Sequence, residues 1–269
     1  MQRRKNQTCT FQNRKEIGSS SKFVISIIPV LDFPLIQTED DFWTSLISSL
    51  RDAIQDGDIL VLAHTPYSRV AGPIYKIEDI DPSPQALEIA LQINKDPRKV
   101  EIVLRNSIEV VKVGNGVIIT KNKAGIICAN AGVDESNAGI GYALGIPEDP
   151  DLLAQKVRTY IFSNLGVQPA VIISDTVGRA LRIGAVNIAI GVAGIEPLLS
   201  KIGSHDLFGY ELKVTQTAIA DELASAAELV QGQSNEGIPL VIIRGYTYVR
   251  KEDSTARLLN RPDDKRLFR

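Results

Sequence analysis

Three polar segments of the chain, 130–137, 174–182 and 231–237, carry oxygen-bearing side chains where an apolar run or a helical pattern ends. In chain order these side chains are Asp134, Asp175, Thr176 and Gln233. Carboxylate, hydroxyl and amide oxygens suit Mg²⁺ or Mn²⁺, which often bridge to substrate phosphates. We therefore predict that the four side chains bind a divalent cation if the fold brings the three segments together.

The second segment lies in the stretch 171–194, which reads VIISDTVGRALRIGAVNIAIGVAG. Its apolar, β-branched start predicts a buried strand, and the run 186–192 predicts another. Arg179 and Arg182 add two permanent positive charges that suit phosphate oxygens, so we predict that both act on a phosphate or a substrate during catalysis. The alternative interpretation is an Asp-Thr turn beside a surface arginine pair.

Other kinds of site have little support in the sequence. The two cysteines, Cys9 and Cys128, are far apart and form no metal-binding spacing. No Walker A motif is present, so a nucleotide would need a different phosphate cradle. His64 follows an apolar run, and a lone histidine in that place is more often packed or capped than catalytic. No Ser-His-Asp or Cys-His arrangement can be argued from the spacing.

The composition is that of an ordinary globular protein. The chain has 269 residues, 44% of them hydrophobic, with 30 basic and 32 acidic residues and a net charge of −2. This balance gives no electrostatic signature of nucleic-acid or membrane binding, and no apolar run is long enough to span a bilayer. We expect a cytoplasmic protein with a basic, disordered tail at 1–22, a folded region at 23–249 that is either one two-lobed unit or two domains, and a polar C-terminal tail at 250–269.

Apolar periodicity and turn residues predict the elements that would position these residues. The predicted strands are 23–31, with Pro29 marking an edge position or a strand end, 59–63, the hairpin 117–120 with 126–129, and 238–244. The predicted helices are 40–54, with Thr38 as its N-cap, 83–94, 97–111, 151–165 and 214–231. Residues 64–72 are predicted as a loop, because Pro66 disfavours helix in the residue before it.

Five segments together resemble the coenzyme F420-0:L-glutamate ligase family. They are GDILVLAH at 57–64, CANAGVDESN at 128–137, IISDTVGRALRIGAVNIAIGVAGI at 172–195, DLFGYELKVTQTAIADELASAAELVQG at 206–232 and GIPLVIIRGY at 237–246. The resemblance covers about residues 23–247. It implies an α+β fold, with a catalytic domain of two lobes at 23–249, in a subunit that intertwines into a homodimer.

The resemblance also implies a reaction. In that family GTP converts a carboxylate of coenzyme F420-0 into an acyl phosphate, and the amino group of L-glutamate then attacks it to give an amide. A divalent cation, Mg²⁺ or Mn²⁺, and also K⁺ support nucleotide binding. The small-molecule partners would be coenzyme F420-0, L-glutamate and GTP, with no nucleic acid and no membrane.

By the matching motifs, the same four side chains at 134, 175, 176 and 233 would be the metal ligands. The positions that resemble nucleotide contacts are Asp32, Phe33, Pro34, Leu35, His64, Thr65, Arg69, Asn137, Gln231, Gly232, Ser234, Asn235, Glu236, Gly237 and Ile238.

One segment departs from the family pattern. Where the family typically reads Ser-Lys-x-Glu-Gly-Arg, this chain reads SRVAGP at 68–73, so Arg69 replaces a lysine while Ala71 and Pro73 replace a carboxylate and a guanidinium. Arg and Lys bind phosphate with different geometry. Two alternatives therefore stay open: a related ligase for another carboxylate and amino acid, or a non-catalytic dimer that binds metal and nucleotide.

Overall fold

A computed structural model describes residues 24–267 as a mixed α+β structure with several sheets. The strands are β1 (Ser26–Pro29), β2 (Ile59–Ala63), β3 (Ile74–Lys76), β4 (Ser107–Gly114), β5 (Val117–Asn122), β6 (Ile127–Ala129), β7 (Tyr142–Leu144), β8 (Ala170–Gly178), β9 (Ala185–Ala193), β10 (Leu199–Ser200), β11 (Gln216–Thr217) and β12 (Leu240–Arg244). The α-helices are α1 (Glu39–Leu50), α2 (Thr65–Ala71), α3 (Pro84–Ile93), α4 (Pro97–Arg105), α5 (Pro150–Leu165) and α6 (Ile219–Gln231). The tail predicted at 1–22 lies outside the described residues.

A five-stranded sheet in the order β1-β12-β2-β8-β9 forms the centre of the molecule. β2 and β8 run parallel, with Leu60 beside Val171, and the other neighbours are antiparallel. β1 is an edge strand in which Pro29 pairs with Val241, so the predicted edge position is confirmed. Because parallel strands end at the same edge, β2 and β8 deliver the residues that follow them to one place.

Both faces of this sheet are buried. On β2, Leu60 and Leu62 pack into one apolar core, and Ile59 and Val61 pack into the other. Helices α1 and α5 cover the first face, and α6 covers the second with a stripe of Ala and Leu. Burial on both sides explains why these strands read as continuous apolar runs rather than alternating patterns.

A smaller group of elements has a core of its own. Helices α3 and α4 pack against the antiparallel sheet β4-β5-β6 around Ile89, Val100 and Ile118. The segment that follows β6 returns toward the central sheet through β7, which pairs with β3. This segment, 130–144, carries part of the predicted site.

Several predicted elements are confirmed. Helix α1 begins after Thr38, whose hydroxyl accepts from the Asp41 amide while the Asp41 carboxylate accepts from the Thr38 amide. Helix α3 begins after Ser83 with Pro84 in its first turn. β5 and β6 form the predicted hairpin.

Three predictions of local structure were wrong. Residues 65–71 form helix α2 rather than a loop, because Pro66 lies in the first turn, where its missing N–H is not needed. The helix predicted at 97–111 ends at Arg105, and its last residues belong to strand β4, which pairs with β5. Helix α6 starts at Ile219 rather than at 214, since residues 216–217 pair with β10 instead.

The segment after 250 packs onto the body of the molecule through short 3₁₀ turns at Ala256–Leu259 and Asp263–Lys265. The Asp151 carboxylate, at the start of α5, accepts from the Thr255 hydroxyl at 2.5 Å and from the Ala256 amide at 2.9 Å. It also accepts from the Val192 amide of β9 at 2.9 Å. One carboxylate therefore joins α5, the central sheet and the C-terminal segment. Within residues 24–267, no helix has the length and apolar character to cross a membrane.

Candidate active site

The carboxyl ends of β2 and β8 form the floor of the candidate site. The His64 amide donates to the Ser174 carbonyl at 3.1 Å, so the chain after β2 stays in register with the end of β8. Asp175 and Thr176 follow on β8, and β9 runs antiparallel beside them with Asn187 opposite Thr176. A bulge between Ile173 and Ser174 shifts the pairing at this point.

A cavity of about 900 Å³ opens at this edge of the sheet. Its wall contains seventeen of the predicted site residues: Phe33, Pro34, Leu35, His64, Thr65, Arg69, Asp134, Asn137, Asp175, Thr176, Gln231, Gly232, Gln233, Ser234, Glu236, Gly237 and Ile238. Residues of all three polar segments therefore line one cavity. The volume is large enough for a nucleotide-sized ligand.

Asp175 is held through one carboxylate oxygen. Its Oδ1 accepts from the Thr176 amide at 2.7 Å and lies 3.3 Å from His64 Nε2. The other ring nitrogen, His64 Nδ1, lies 2.9 Å from the hydroxyl of Ser68, which is fully buried. Both nitrogens of the nearly buried His64 ring thus have protein partners. The His64 ring contacts Asp175 at the cavity wall, and its contact with a nucleotide stays a prediction.

The 130–137 segment approaches Asp175 through a glycine. Gly132 has φ +73°, and a Cβ built there would lie 3.3 Å from Asp175 Oδ2. Two residues later, Asp134 exchanges backbone hydrogen bonds with Leu144, and its carboxylate accepts from the amide and the hydroxyl of Ser136. This close approach brings the Asp134 segment to the open side of the Asp175 carboxylate.

Thr176 and Gln233 lie beside each other on the cavity wall. The Thr176 hydroxyl lies 2.7 Å from Asn187 Oδ1, 3.0 Å from Gln233 Nε2 and 3.3 Å from Gln233 Oε1. Asn187 is 5% exposed, and its side-chain nitrogen Nδ2 donates to Gln231 Oε1 at 3.1 Å. The end of β8 is therefore tied to the end of α6 by side-chain hydrogen bonds.

In the 232–237 loop after α6, the Glu236 side chain folds back onto the backbone of the same loop. Gly232 has φ +71°, and the Glu236 carboxylate accepts from the Ser234 amide at 2.8 Å. A Cβ at Gly232 would lie 2.1 Å from Glu236 Cδ, so a side chain at 232 would push this carboxylate away. Gly232 is needed here for its positive φ, which other residues adopt only with strain.

Arg69 joins two parts of the cavity wall. It lies on α2, and its guanidinium Nη1 donates to the Asn137 carbonyl at 2.8 Å. Neither Ala71 nor Pro73, the other altered positions of the 68–73 segment, lines the cavity described for residues 24–267. The departure from the family pattern therefore alters the cavity wall mainly at Arg69.

Four predicted residues do not line this cavity in the described part of the chain: Asp32, Asn235, Arg179 and Arg182. Arg179 donates instead to the carbonyls of Ile183 and Gly184, at 2.5 Å and 3.2 Å, in the exposed turn between β8 and β9. The fold does not bring the arginine pair to the metal-ligand candidates of the same chain. The proposed catalytic role of both arginines stays a prediction.

Four residues of the site were not predicted from the sequence: Ser136, Ser174, Asn187 and Glu228. A signal existed for Asn187, which is a polar residue inside an apolar strand, and buried polar groups usually have a hydrogen-bonding task. Ser174 is 1% exposed and lines the cavity, and its hydroxyl has no hydrogen-bond partner within residues 24–267. An unpaired buried hydroxyl at a cavity wall is consistent with a polar ligand.

The donor set fits a hard cation. Asp134 and Asp175 supply carboxylate oxygens, and Thr176 Oγ1 and Gln233 Oε1 are 3.3 Å apart. Neighbouring oxygens around an octahedral Mg²⁺ at about 2.1 Å are separated by roughly 3 Å, so this spacing is close to what a shared cation needs. In residues 24–267 no group of three or more His, Cys, Asp and Glu side chains could hold a metal, so a site here depends on neutral oxygens as well.

Cys128 lies beside this site but is not a nucleophile. Burial, reinforced by the nearby Asp175 charge, raises the pKa of the Cys128 thiol to about 12. The thiol is therefore protonated at neutral pH and lacks the thiolate that reactions require.

Comparisons with known proteins identify the family of this chain. The family model described as F420-0:Gamma-glutamyl ligase matches residues 30–245, which places the chain among ligases. A coenzyme F420:L-glutamate ligase of Methanothermobacter thermautotrophicus is 45% identical over 249 residues, covering 91% of this chain and 99% of the relative. The ligase of that name from Methanocaldococcus jannaschii is 49% identical over 216 residues, covering 80% of this chain and 86% of the relative. The chain belongs to the F420-0:gamma-glutamyl ligase family.

Proposed function

We propose that the protein is a GTP-dependent ligase that joins L-glutamate to the carboxylate of coenzyme F420-0 through an acyl phosphate. The description of the family and the names of the relatives support coenzyme F420-0 and L-glutamate as the two substrates that are joined. The single observation that supports phosphate chemistry is the meeting of Asp134, Asp175, Thr176 and Gln233 on the wall of one large cavity. This conjunction of oxygen donors is what a nucleotide-bound cation requires.

In the proposed reaction a carboxylate oxygen of coenzyme F420-0 attacks the γ-phosphorus of GTP, and GDP leaves. The amino group of glutamate then attacks the acyl carbon, phosphate leaves, and an amide remains. Mg²⁺ or Mn²⁺, together with K⁺, would neutralise the charge of the phosphate oxygens. The two aspartates, Thr176 and Gln233 would hold the divalent cation.

The remaining cavity residues would position the substrates. Arg69 presents a fixed positive charge on the cavity wall, where its guanidinium donates to the Asn137 carbonyl. The apolar side chains of Phe33 and Leu35 offer a surface for a nucleotide base, and the 231–238 loop offers backbone groups. Positioning and electrostatic stabilisation carry most of the catalysis in phosphoryl transfer, so a preformed wall of this kind is what the reaction needs.

The product assay tests this proposal. The purified protein is incubated with coenzyme F420-0, L-glutamate, GTP, Mn²⁺ and K⁺, and the products are identified by mass spectrometry. We expect one added glutamyl unit for each GDP and phosphate released, and no product when GTP or glutamate is omitted. Release of GDP without the glutamyl product would favour a ligase for another acceptor. Nucleotide binding without any turnover would favour a non-catalytic binding protein.

We also propose that the subunit forms a homodimer, as the resemblance to the family implies. Supporting this, the adjacent residues Leu207 and Phe208 expose 100% and 91% of their surface. Groups of exposed apolar side chains commonly mark protein–protein contacts. Light scattering of the purified protein should give twice the 29.3 kDa chain mass, and a single-chain mass at assay concentration would contradict the dimer.

A further inference from the structure

The hydrogen bonds behind Thr176 and Gln233 form a network with a defined direction. Gln231 Nε2 donates to the Pro239 carbonyl at 3.1 Å, so the Gln231 oxygen is left to accept from Asn187 Nδ2. The Asn187 oxygen is then left to accept the Thr176 hydroxyl proton at 2.7 Å. Each amide is fixed because only its nitrogen donates and only its oxygen accepts.

Glu228 fixes the other side of this network. It lies on α6, half-buried, and a carboxylate can only accept. Its Oε2 accepts from the backbone amide of Asn187 at 2.8 Å, and its Oε1 accepts from Gln233 Nε2 at 2.5 Å. The Gln233 side chain must therefore turn its nitrogen toward Glu228.

The network leaves one oxygen of Gln233 unused. The Gln233 nitrogen donates one proton to Glu228 and, at 3.0 Å, the other to Thr176 Oγ1, while the Thr176 proton goes to Asn187. Gln233 Oε1 lies 3.3 Å from Thr176 Oγ1 and receives no proton from it. Gln233 Oε1 is therefore an acceptor on the cavity wall that a cation can bind.

We propose that Glu228 is a positioning residue for the divalent cation: it holds the Gln233 amide nitrogen so that the Gln233 oxygen faces the cavity beside the Thr176 oxygen. This inference rests on the proposed function, because it concerns the cation of that same site. Residues that orient metal ligands commonly change metal affinity by about 10- to 100-fold when they are replaced.

The test measures the binding of Mn²⁺ alone to the full chain, by electron paramagnetic resonance of the free ion, without nucleotide or substrates. In Glu228→Gln, the new amide can turn its nitrogen toward Gln233 and so reverse the Gln233 amide. We expect the Mn²⁺ Kd to rise about tenfold or more in this variant, and also in Glu228→Ala, which removes the carboxylate entirely. In the ligase assay, we expect the KM for Mn²⁺ to rise while kcat at saturating Mn²⁺ changes little.

Ser225→Ala is the matched control. Ser225 lies on the same helix as Glu228, and its hydroxyl donates to the backbone carbonyl of Asn187 at 2.7 Å. The alanine variant loses this hydrogen bond to Asn187. It leaves the donors and acceptors of the side-chain network unchanged. We expect its Mn²⁺ Kd to stay within about twofold of the unmodified chain. Thermal unfolding shows whether each variant is folded.

The outcomes separate this inference from the proposed function. If the unmodified chain does not bind Mn²⁺, or if Asp175→Asn binds it as well as the unmodified chain does, the proposed cation site is wrong and this inference is wrong with it. If Asp175→Asn weakens binding while both Glu228 variants bind normally, only the positioning role is overturned. An equal loss of affinity in folded Ser225→Ala would also overturn it, since packing of α6 would then explain the effect.

Discussion

Replacing Asp175 with Asn should reduce the ligase rate by about a hundredfold or more while the protein stays folded. Asparagine keeps the shape of the side chain, and its oxygen can still accept from the Thr176 amide at the 2.7 Å position. The amide nitrogen then replaces Oδ2, the oxygen beside Gly132, and a nitrogen that carries two protons cannot bind a cation. Several kcal/mol of charge stabilisation at the transferred phosphate would be lost, at about 1.4 kcal/mol for each tenfold in rate.

The measurement compares kcat and the Mn²⁺ Kd of the variant with those of Asp52→Asn. Asp52 is exposed in the turn after α1 and does not line the cavity. Its replacement removes the same charge elsewhere on the molecule, so this control should keep the rate of the unmodified chain. A folded Asp175→Asn protein with normal turnover and normal Mn²⁺ binding would show that Asp175 has a structural role only.

Replacing Gly191 with Ala should destabilise the fold by about 3 kcal/mol or more, or prevent folding. A Cβ at 191 would lie 2.2 Å from the carbonyl oxygen of Pro150 and 2.3 Å from its carbonyl carbon. Both are backbone atoms at the start of α5, so no rotation of a side chain can relieve the contact. Movement of α5 is opposed because Asp151, the next residue, accepts from the amides of Val192 and Ala256.

Urea unfolding followed by circular dichroism gives the free energy of unfolding for this comparison. Gly178→Ala is the control, since Gly178 lies on the neighbouring strand with open space around its would-be Cβ. We expect its free energy of unfolding to stay within about 0.5 kcal/mol of the unmodified chain. Unchanged stability of Gly191→Ala would mean that α5 can move away from β9 at little cost.

Much of the fold could be predicted from local patterns. The apolar runs of β2, β8, β9 and β12 predicted buried strands, because strands that are covered on both faces contain few polar residues. The capping residues Thr38 and Ser83 predicted two helix starts, because each side chain satisfies an amide that the helix leaves unpaired.

The wrong predictions arise where tertiary contacts decide the outcome. Residues 107–111 continue a helical spacing of Val and Ile, yet they form β4 because β5 offers backbone partners. Pro66 is the exception, because a local rule decides there: a first helical turn accepts proline. Residues 216–217 could extend α6 by composition, but they pair with β10.

The candidate site was predictable in its residue types more than in its arrangement. Carboxylate, hydroxyl and amide groups at the ends of apolar runs indicated a cation site at Asp134, Asp175, Thr176 and Gln233. Their meeting in one cavity depends on the parallel pairing of β2 with β8 and on the approach of Gly132 to Asp175. Glu228 could not be predicted, because on α6 alone it resembles any acidic residue of a solvated helix face.

The position of β12 has a consequence for how the protein is made. β12 comes from residues 240–244 but lies between β1 and β2, which are formed by residues 26–29 and 59–63. During synthesis these two early strands emerge from the ribosome long before the strand that joins them exists. The edges of β1 and β2 that face β12 stay unpaired until residues 240–244 have been synthesised, and unpaired strand edges are prone to wrong associations. Loss of residues 240–244 would leave β1 without its only partner strand in the described sheet and β2 with an uncovered edge.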